Sequence, residues 1–219
     1  MDKTLKVLAK YWPVFLKGLW GTMWLAAVTL LVGTILGLLI AFLRMSKVKP
    51  LRGITAAYIQ VLRGTPILLQ LYFFWIMLPR VLPFQMSDTA CIVVALIINA
   101  SAYIAEIIRA GIMAVDPGQW EAGRSIGLTE FHLLQKIIMP QAIKNILPAL
   151  VNQFISCIKE TSLASVFFIR ELTTAYKTVQ ASTFLAIQPL LISGTIYLIV
   201  TSLLSVAAGR IEGRLKASD

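Results

Sequence analysis

The sequence predicts an all-α integral membrane fold of five transmembrane helices, and three observations carry that prediction. Of the 219 residues, 58% are hydrophobic and only 14% are charged, with a mean hydropathy of +0.81. A soluble domain carries about 25% charged residues, so this chain has too few to cover a surface that faces water. Several apolar runs reach the length of roughly 20 residues that a helix needs to cross a bilayer core. The net charge of +10 comes from 20 Lys+Arg against 10 Asp+Glu. Those basic residues sit between the apolar runs, as flanking charges do, which argues against a nucleic-acid partner.

Residues 1–17 read as an amphipathic segment. Lys3, Lys10 and Lys17 recur every seven residues, while Leu5, Leu8, Trp12 and Phe15 follow helical spacing, a pattern suited to lying on the membrane surface. The first span, 18–43, has no charged residue; it is too long for a secretory h-region and no A-x-A-like cleavage site follows it. The second, 54–78, is interrupted only by Arg63-Gly64-Thr65-Pro66. The third is 89–108, the fourth 146–168, interrupted by Lys159-Glu160, and the fifth 184–208. A cytoplasmic loop over 109–144 and a cytoplasmic tail over 209–219 complete the division.

Orientation follows from the basic residues. Arg44, Lys47, Lys49 and Arg52, then Arg109, Arg124, Lys136 and Lys144, then Arg210, Arg214 and Lys216 fall on one side. Fewer lie opposite, chiefly Lys3, Lys6, Lys10 and Lys17 with Arg80, Arg170 and Lys177. The loop and the C-terminus are therefore expected in the cytoplasm and the N-terminus outside. Cys91 and Cys157 both lie inside apolar runs and His132 is the only histidine, so neither a disulfide framework nor a metal site is expected.

Ionisable residues and helix breakers inside a span are costly and need a reason. Lys159-Glu160-Thr161-Ser162 falls within the fourth run. Either the helix breaks there and Glu160, Thr161 and Ser162 face a substrate pathway, or Lys159 and Glu160 form an internal ion pair, or the span ends at Ile158. In the second run, Pro66 removes a backbone donor and crowds the carbonyl of Leu62, while Gly64 permits close backbone approach. Arg63, Gly64 and Pro66 thus mark a structural kink, and Thr65 and Gln70 are candidates to line a pathway beside it. Glu106 and Arg109 share one helix face and read as a boundary ion pair. Asn99, Ser101 and Tyr103, earlier in the same helix, are candidates for the bundle interior.

The loop is patterned as well. Asp116 reads as an N-cap with Pro117 at the first helical position, and Gly127 as the residue ending a short helix. Thr129 then caps a second helix expected to end at Pro140. The small residues Ala122, Gly123 and Gly127 would let another protein approach closely. No catalytic set is visible: His132 has no nucleophile and acid to work with.

Glu121-Ala122-Gly123, Gly127, Ile137 and Met139-Pro140 together resemble the "EAA" loop of ABC-importer permeases, whose pattern is E-A-A, three residues, G, nine residues, I-x-L-P. Gly123 replaces the second alanine and Met139 the leucine. Ala102-Tyr103-Ile104-Ala105-Glu106 with Arg109, Gly118-Gln119-Trp120-Glu121-Ala122, Arg63-Gly64-Thr65-Pro66 and Lys159-Glu160-Thr161-Ser162-Leu163 are similar to the polar-amino-acid permeases. That group serves histidine, glutamine, arginine and cystine and usually has Lys-Asp-Thr-Ser-Leu in the fourth span. The resemblance covers nearly the whole chain. It implies a type I ABC importer permease in a bacterial or archaeal inner membrane, paired with a second copy or a sister permease. An extracytoplasmic binding protein would supply the amino acid, and an ABC ATPase dimer would hold the ATP and Mg. This chain has no G-x-x-x-x-G-K-[ST] motif of its own. By the same resemblance, Gly118, Gln119, Glu121, Ala122, Gly123 and Gly127 couple to the ATPase, and Thr65, Gln70, Glu160, Thr161 and Ser162 line the pathway. The other reading of the residues is a stand-alone amino-acid carrier driven by an ion gradient, with Glu106 or Glu160 carrying protons.

Overall fold

A computed structural model describes residues 3–216 of the chain. Nine α-helices occupy the described residues: α1 Lys3–Met45, α2 Lys49–Gly64, α3 Ile67–Val81, α4 Asp88–Met113, α5 Pro117–Ser125, α6 Glu130–Leu133, α7 Met139–Glu160, α8 Leu172–Thr183 and α9 Ile187–Lys216. A π-helical turn, Leu134–Ile138, joins α6 to α7, and a 3-10 segment, Thr161–Phe167, follows α7. The last residues of the expected tail, 217–219, lie outside the described residues.

The axis of the fold is the pairing of α1 with α4, its most extensive helix contact. Gly33 and Gly37 lie one turn apart on α1, and both face α4. A Cβ on Gly33 would stand 3.3 Å from Ala100 Cβ, and one on Gly37 would stand 2.8 Å from Ile104 Cγ2 and 3.0 Å from the Ser101 carbonyl. Removing those two side chains lets the backbones approach, which is how helices associate where lipid offers no hydrophobic driving force. Along this seam Ile40, Ala41, Ala100, Ile104, Ala105 and Ile108 form the largest buried cluster, which α7 closes through Ala142, Ile146 and Cys157. Nearer the N-terminus, α1 packs on α8 and α9 through Val7, Phe15, Leu172, Val179 and Ile192. Residues 3–17 are therefore continuous with the first apolar run in one unbroken helix; residues 1–2 of the expected amphipathic segment lie outside the described residues.

The expectation of five spans is corrected. Among the described residues, three helices are long and apolar enough to cross a membrane: Lys3–Met45, Asp88–Met113 and Ile187–Arg210. A fourth is obtained only if α2 and α3, which meet at 112°, are taken as one bent span. Pro66 supplies the physical reason, since it ends α2 and restarts the helix in a new direction. The 146–168 run does not form a single apolar helix. Its helix α7 starts back at Met139 and carries Lys144, Asn145, Asn152, Gln153, Lys159 and Glu160; it ends at Glu160, and Phe168 follows the 3-10 turn in left-handed backbone at φ 56°.

Pro140 does not end a helix, as expected, but opens one. Met139 N–H donates to the Leu134 carbonyl, an i→i−5 bond. The wider turn takes the strain of a proline that would otherwise crowd the carbonyl four residues before it.

Replacing Gly37 with Leu forces α1 off α4 and is expected to cost about 1–3 kcal/mol or more of overpacking strain, read as a lower unfolding temperature in detergent. Gly53, with nothing within 4 Å of its missing Cβ, is the control. Gly53→Ala should leave that temperature unchanged or raise it, and equal effects at both positions would contradict the α1–α4 account.

Candidate functional site

Three features place the residues singled out in the sequence. The first is the α2–α3 elbow. Pro66 offers no N–H, so the Leu62 carbonyl needs a donor from elsewhere. Gln70 provides it: its Nε2 donates to Leu62 O at 2.8 Å, to Thr65 O at 3.1 Å and to Thr65 Oγ1 at 2.8 Å. Asn99 Nδ2 on α4 donates in turn to Gln70 Oε1 at 2.8 Å, which orients the carboxamide. Gln70 is only 7% exposed, so the structure turns this residue inward to seal the break. Thr65 stays exposed, with its hydroxyl donating to Val61 O at 2.8 Å. Gly64 is exposed as well, and a Cβ there would meet nothing. Of the polar residues on α4, Asn99 and Ser101 are buried, and Ser101 Oγ lies 2.7 Å from the Tyr58 hydroxyl.

Beside the elbow, Arg109 grips Glu106 with both arms of its guanidinium, Nε to Oε2 at 2.9 Å and Nη2 to Oε1 at 2.6 Å. Such bidentate pairs are the strong, directional form of the ion pair. Arg63 reaches the same carboxylate at 3.9 Å and lies over the Tyr103 ring, 5.4 Å from its centroid.

The second feature is the end of α7. No ion pair within 4 Å joins Lys159 to Glu160; those among the described residues use Glu106 and Glu130. Glu160 is half-buried, at the last α-helical residue. Thr161 Oγ1 donates to Ile158 O at 2.8 Å, and Ser162 Oγ to Lys159 O at 2.6 Å. Both hydroxyls are thus tied to the turn behind them; Thr161 is buried, whereas Ser162 is half-buried.

Glu171 belongs to none of the sequence motifs. Its side chain is fully buried and caps α8, accepting from Thr173 N at 2.6 Å, from Thr174 N and from the Tyr197 hydroxyl at 3.0 Å. Thr22 Oγ1 of α1 accepts from the adjacent Leu172 N at 3.1 Å. An acid standing just before Leu-Thr-Thr was the available signal, since carboxylates favour helix N-termini.

The third feature is the hairpin of α5 and α6. Asp116 caps α5, accepting from Gly118 N at 2.6 Å. The helix closes in a full Schellman motif: Gly127 N donates to Arg124 O at 3.0 Å and Leu128 N to Gly123 O at 3.1 Å, with Gly127 at φ +77°. Gly123 is buried against Leu133, where a Cβ would collide, so its small size serves packing inside the hairpin. Arg124 bridges to Glu130, Nε to Oε1 at 2.8 Å, and lies 5.8 Å from the Trp120 ring centroid. Gln119 makes a long contact with Gln141, 3.4 Å, while Glu121 and Ala122 are exposed. At the tip, Ile126 is 75% exposed and Phe131 68%. No group of three or more His, Cys, Asp or Glu among the described residues could hold a metal.

A family model described as binding-protein-dependent transport system inner membrane component matches residues 33–216. The chain is 36% identical over 207 residues to the arginine transport system permease protein ArtQ of Bacillus subtilis (strain 168), covering 94% of each. It is 39% identical over 206 residues to the L-cystine transport system permease protein TcyB of the same organism, covering 94% of this chain and 88% of TcyB. A solved structure described as an amino acid ABC transporter with histidines superposes with a TM-score of 0.92 at 41% identity, over 98% of this chain and 99% of that one. The MetNI methionine ABC transporter in an inward-facing conformation shares the fold, with a TM-score of 0.80 at 17% identity over 98% and 99% of the two chains.

Two outcomes test this geometry. Gln70→Leu strands the Leu62 carbonyl and the Asn99 amide and should cost about 1–3 kcal/mol for each stranded group. Asn99→Ala removes only one of the bonds and should lower the unfolding temperature less; a Gln70→Leu protein as stable as wild type would contradict the seal. In the hairpin, the Arg124 guanidinium holds the Glu130 carboxyl below its ordinary value through their hydrogen bond. Because the folded value is depressed, the pair's contribution is complete above the free carboxylate range of about pH 4 and is lost as pH falls through the lowered value. Both groups are exposed and screened, so the effect is small. Amide-exchange protection at Gly127 and Leu128 should be higher in wild type than in Arg124→Gln at neutral pH and equal once Glu130 is protonated.

Proposed function

Since the chain belongs to the family of binding-protein-dependent transport system inner membrane components, we propose that its α5–α6 hairpin is the element through which a cytoplasmic ATPase drives it. The chain is the permease component of an ABC-type amino-acid importer, a transport subunit and not an enzyme. Family membership implies a partner ATPase and a substrate-binding protein. In the reading proposed here an ATPase dimer holds ATP and Mg, and an extracytoplasmic binding protein delivers a polar amino acid. Two permease subunits, either two copies of this chain or this chain and a sister, share one pathway in a bacterial or archaeal inner membrane. The hairpin faces the cytoplasm and the N-terminus lies outside, the orientation that the basic residues favour and that α1, the bent α2–α3 pair and α4 give when each crosses once.

The observation that carries the coupling reading is the hairpin tip, where Ile126 and Phe131 expose large apolar side chains. Exposed apolar groups on a segment with its own internal packing are suited to a protein groove. Asp116, the Schellman turn and the Gly123–Leu133 contact hold α5 in one orientation, so Gln119, Glu121 and Ala122 present a fixed face. A rigid helix transmits a push that a flexible loop would absorb.

For the pathway, Glu160 stands at the end of α7 without an ion-pair partner among the described residues, with Thr161 and Ser162 on the 3-10 turn. A carboxylate there suits a substrate ammonium group, and the half-buried Ser162 hydroxyl can meet its polar atoms, with Thr161 buried behind it as part of the turn. Thr65, exposed on the elbow, lines the same reading, and Gln70 supports it from behind.

Gly127→Leu is the test. A leucine at φ +77° costs about 1–2 kcal/mol and opens the turn, so the assembled complex should insert normally and still hydrolyse ATP. Uptake into proteoliposomes should fall about tenfold relative to ATP consumed. Unchanged uptake per ATP in this variant would overturn the coupling role.

A further inference from the structure

Helices α1, α2 and α4 enclose an open pocket of about 460 Å³, lined by Arg44, Gln60, Arg63, Glu106 and Arg109 over a floor of Ala56 and Ile59. That volume falls in the range of about 300–1,000 Å³ typical of small-ligand sites. The charge lining it is unbalanced. Glu106 is the single carboxylate, and Arg109 engages both its oxygens, at 2.9 and 2.6 Å. Arg63 is left at 3.9 Å, with a side chain 41% exposed and its plane near Tyr103. Arg44, in the last turn of α1, lines the same pocket and enters no hydrogen bond among the described residues. Three guanidinium groups therefore share one carboxylate that is already occupied.

Glu106 and Arg109 belong to α4, one of the helices able to cross a membrane. Cationic groups clustered near the ends of these helices repel one another without counter-charge, and the pocket lining supplies only one carboxylate. A guanidinium offers paired N–H donors in a plane that match two oxygens of a carboxylate or phosphate. Tyr103 fixes Arg63, while the Arg109–Glu106 fork forms a rigid wall beside it.

We infer that the Arg44–Arg63 face of this pocket is an oxyanion site that takes a carboxylate or phosphate group. The group has two sources, the phosphodiester of an anionic lipid or a free solute anion. The inference stands on this geometry and does not rest on the coupling role of the hairpin.

The experiment uses the complex purified in mild detergent, as wild type, Arg44→Gln/Arg63→Gln and the charge-retaining Arg44→Lys/Arg63→Lys. In one arm, native mass spectrometry compares retention of phosphatidylglycerol with that of phosphatidylcholine bearing the same chains. In the other, thermal stability is followed against acetate and inorganic phosphate at constant ionic strength. A lipid source is shown by phosphatidylglycerol retention about tenfold higher in wild type than in the glutamine variant. A solute source is shown by acetate or phosphate stabilising wild type and not that variant. The lysine variant serves where the glutamine variant fails to fold; it keeps the charge without the paired donors, so its binding should fall below wild type. Binding that is the same in wild type and the folded variant in both arms would overturn the site.

Discussion

The fold depends on one constraint, that a backbone polar group released inside an apolar bundle must find its partner within the protein. Each interruption of a helix creates such groups, and a nearby side chain meets them. At the elbow, Gln70 donates to the Leu62 carbonyl left over by Pro66, and Asn99 holds Gln70 in place. Before α8, Glu171 accepts from Thr173 N, and Thr22 of α1 accepts from Leu172 N. These side chains tie the interruptions to α1 and α4, the pair whose close approach at Gly33 and Gly37 defines the bundle. The breaks are thereby fixed in direction as firmly as the helices they separate.

This arrangement divides the molecule by purpose. The α1–α4 core is buried and closely packed, whereas the hairpin of α5 and α6 carries its own cap, turn and ion pair. The hairpin therefore keeps its shape as a unit while remaining joined to α7 through a π-helical turn. A permease moved by another subunit needs that combination, a stiff lever joined to a bundle that can respond. The end of α7, where Glu160 precedes a 3-10 turn, lies on the same helix that the hairpin leads into. Displacement of the hairpin thus has a direct covalent route to the residues proposed for the pathway.

Much of the local structure was legible because it follows from backbone chemistry at single residues. Asp116, Pro117 and Gly127 delimit α5, and Thr129 caps α6, because each residue's conformational preference is strong and local. Glu106 and Arg109 pair because three residues along a helix bring them together. Long-range partners were not legible. Nothing in the order of residues shows that Gln70 turns back to Leu62 or that Asn99 stands behind it, so Gln70 reads as a pathway residue until the packing is seen. Gly123 suggests space for a partner protein until Leu133 is seen to fill it. The span count failed for a related reason: hydropathy runs record composition, whereas a 112° bend at Pro66 and the polar residues along α7 determine whether a run becomes one straight crossing. Gly33-x-x-x-Gly37, by contrast, is a helix-pairing signal present in the sequence itself.

The central claim is that the hairpin tip meets an ATPase. The most direct measurement places a photo-crosslinking residue at position 126 in the full chain, in native membranes, and identifies the adduct by mass spectrometry. The account predicts a crosslink to an ABC-type ATPase, lost when the residue is moved to the lipid-facing side of α9. Crosslinks from position 126 only to lipid, under conditions where the ATPase remains membrane-bound, would contradict it.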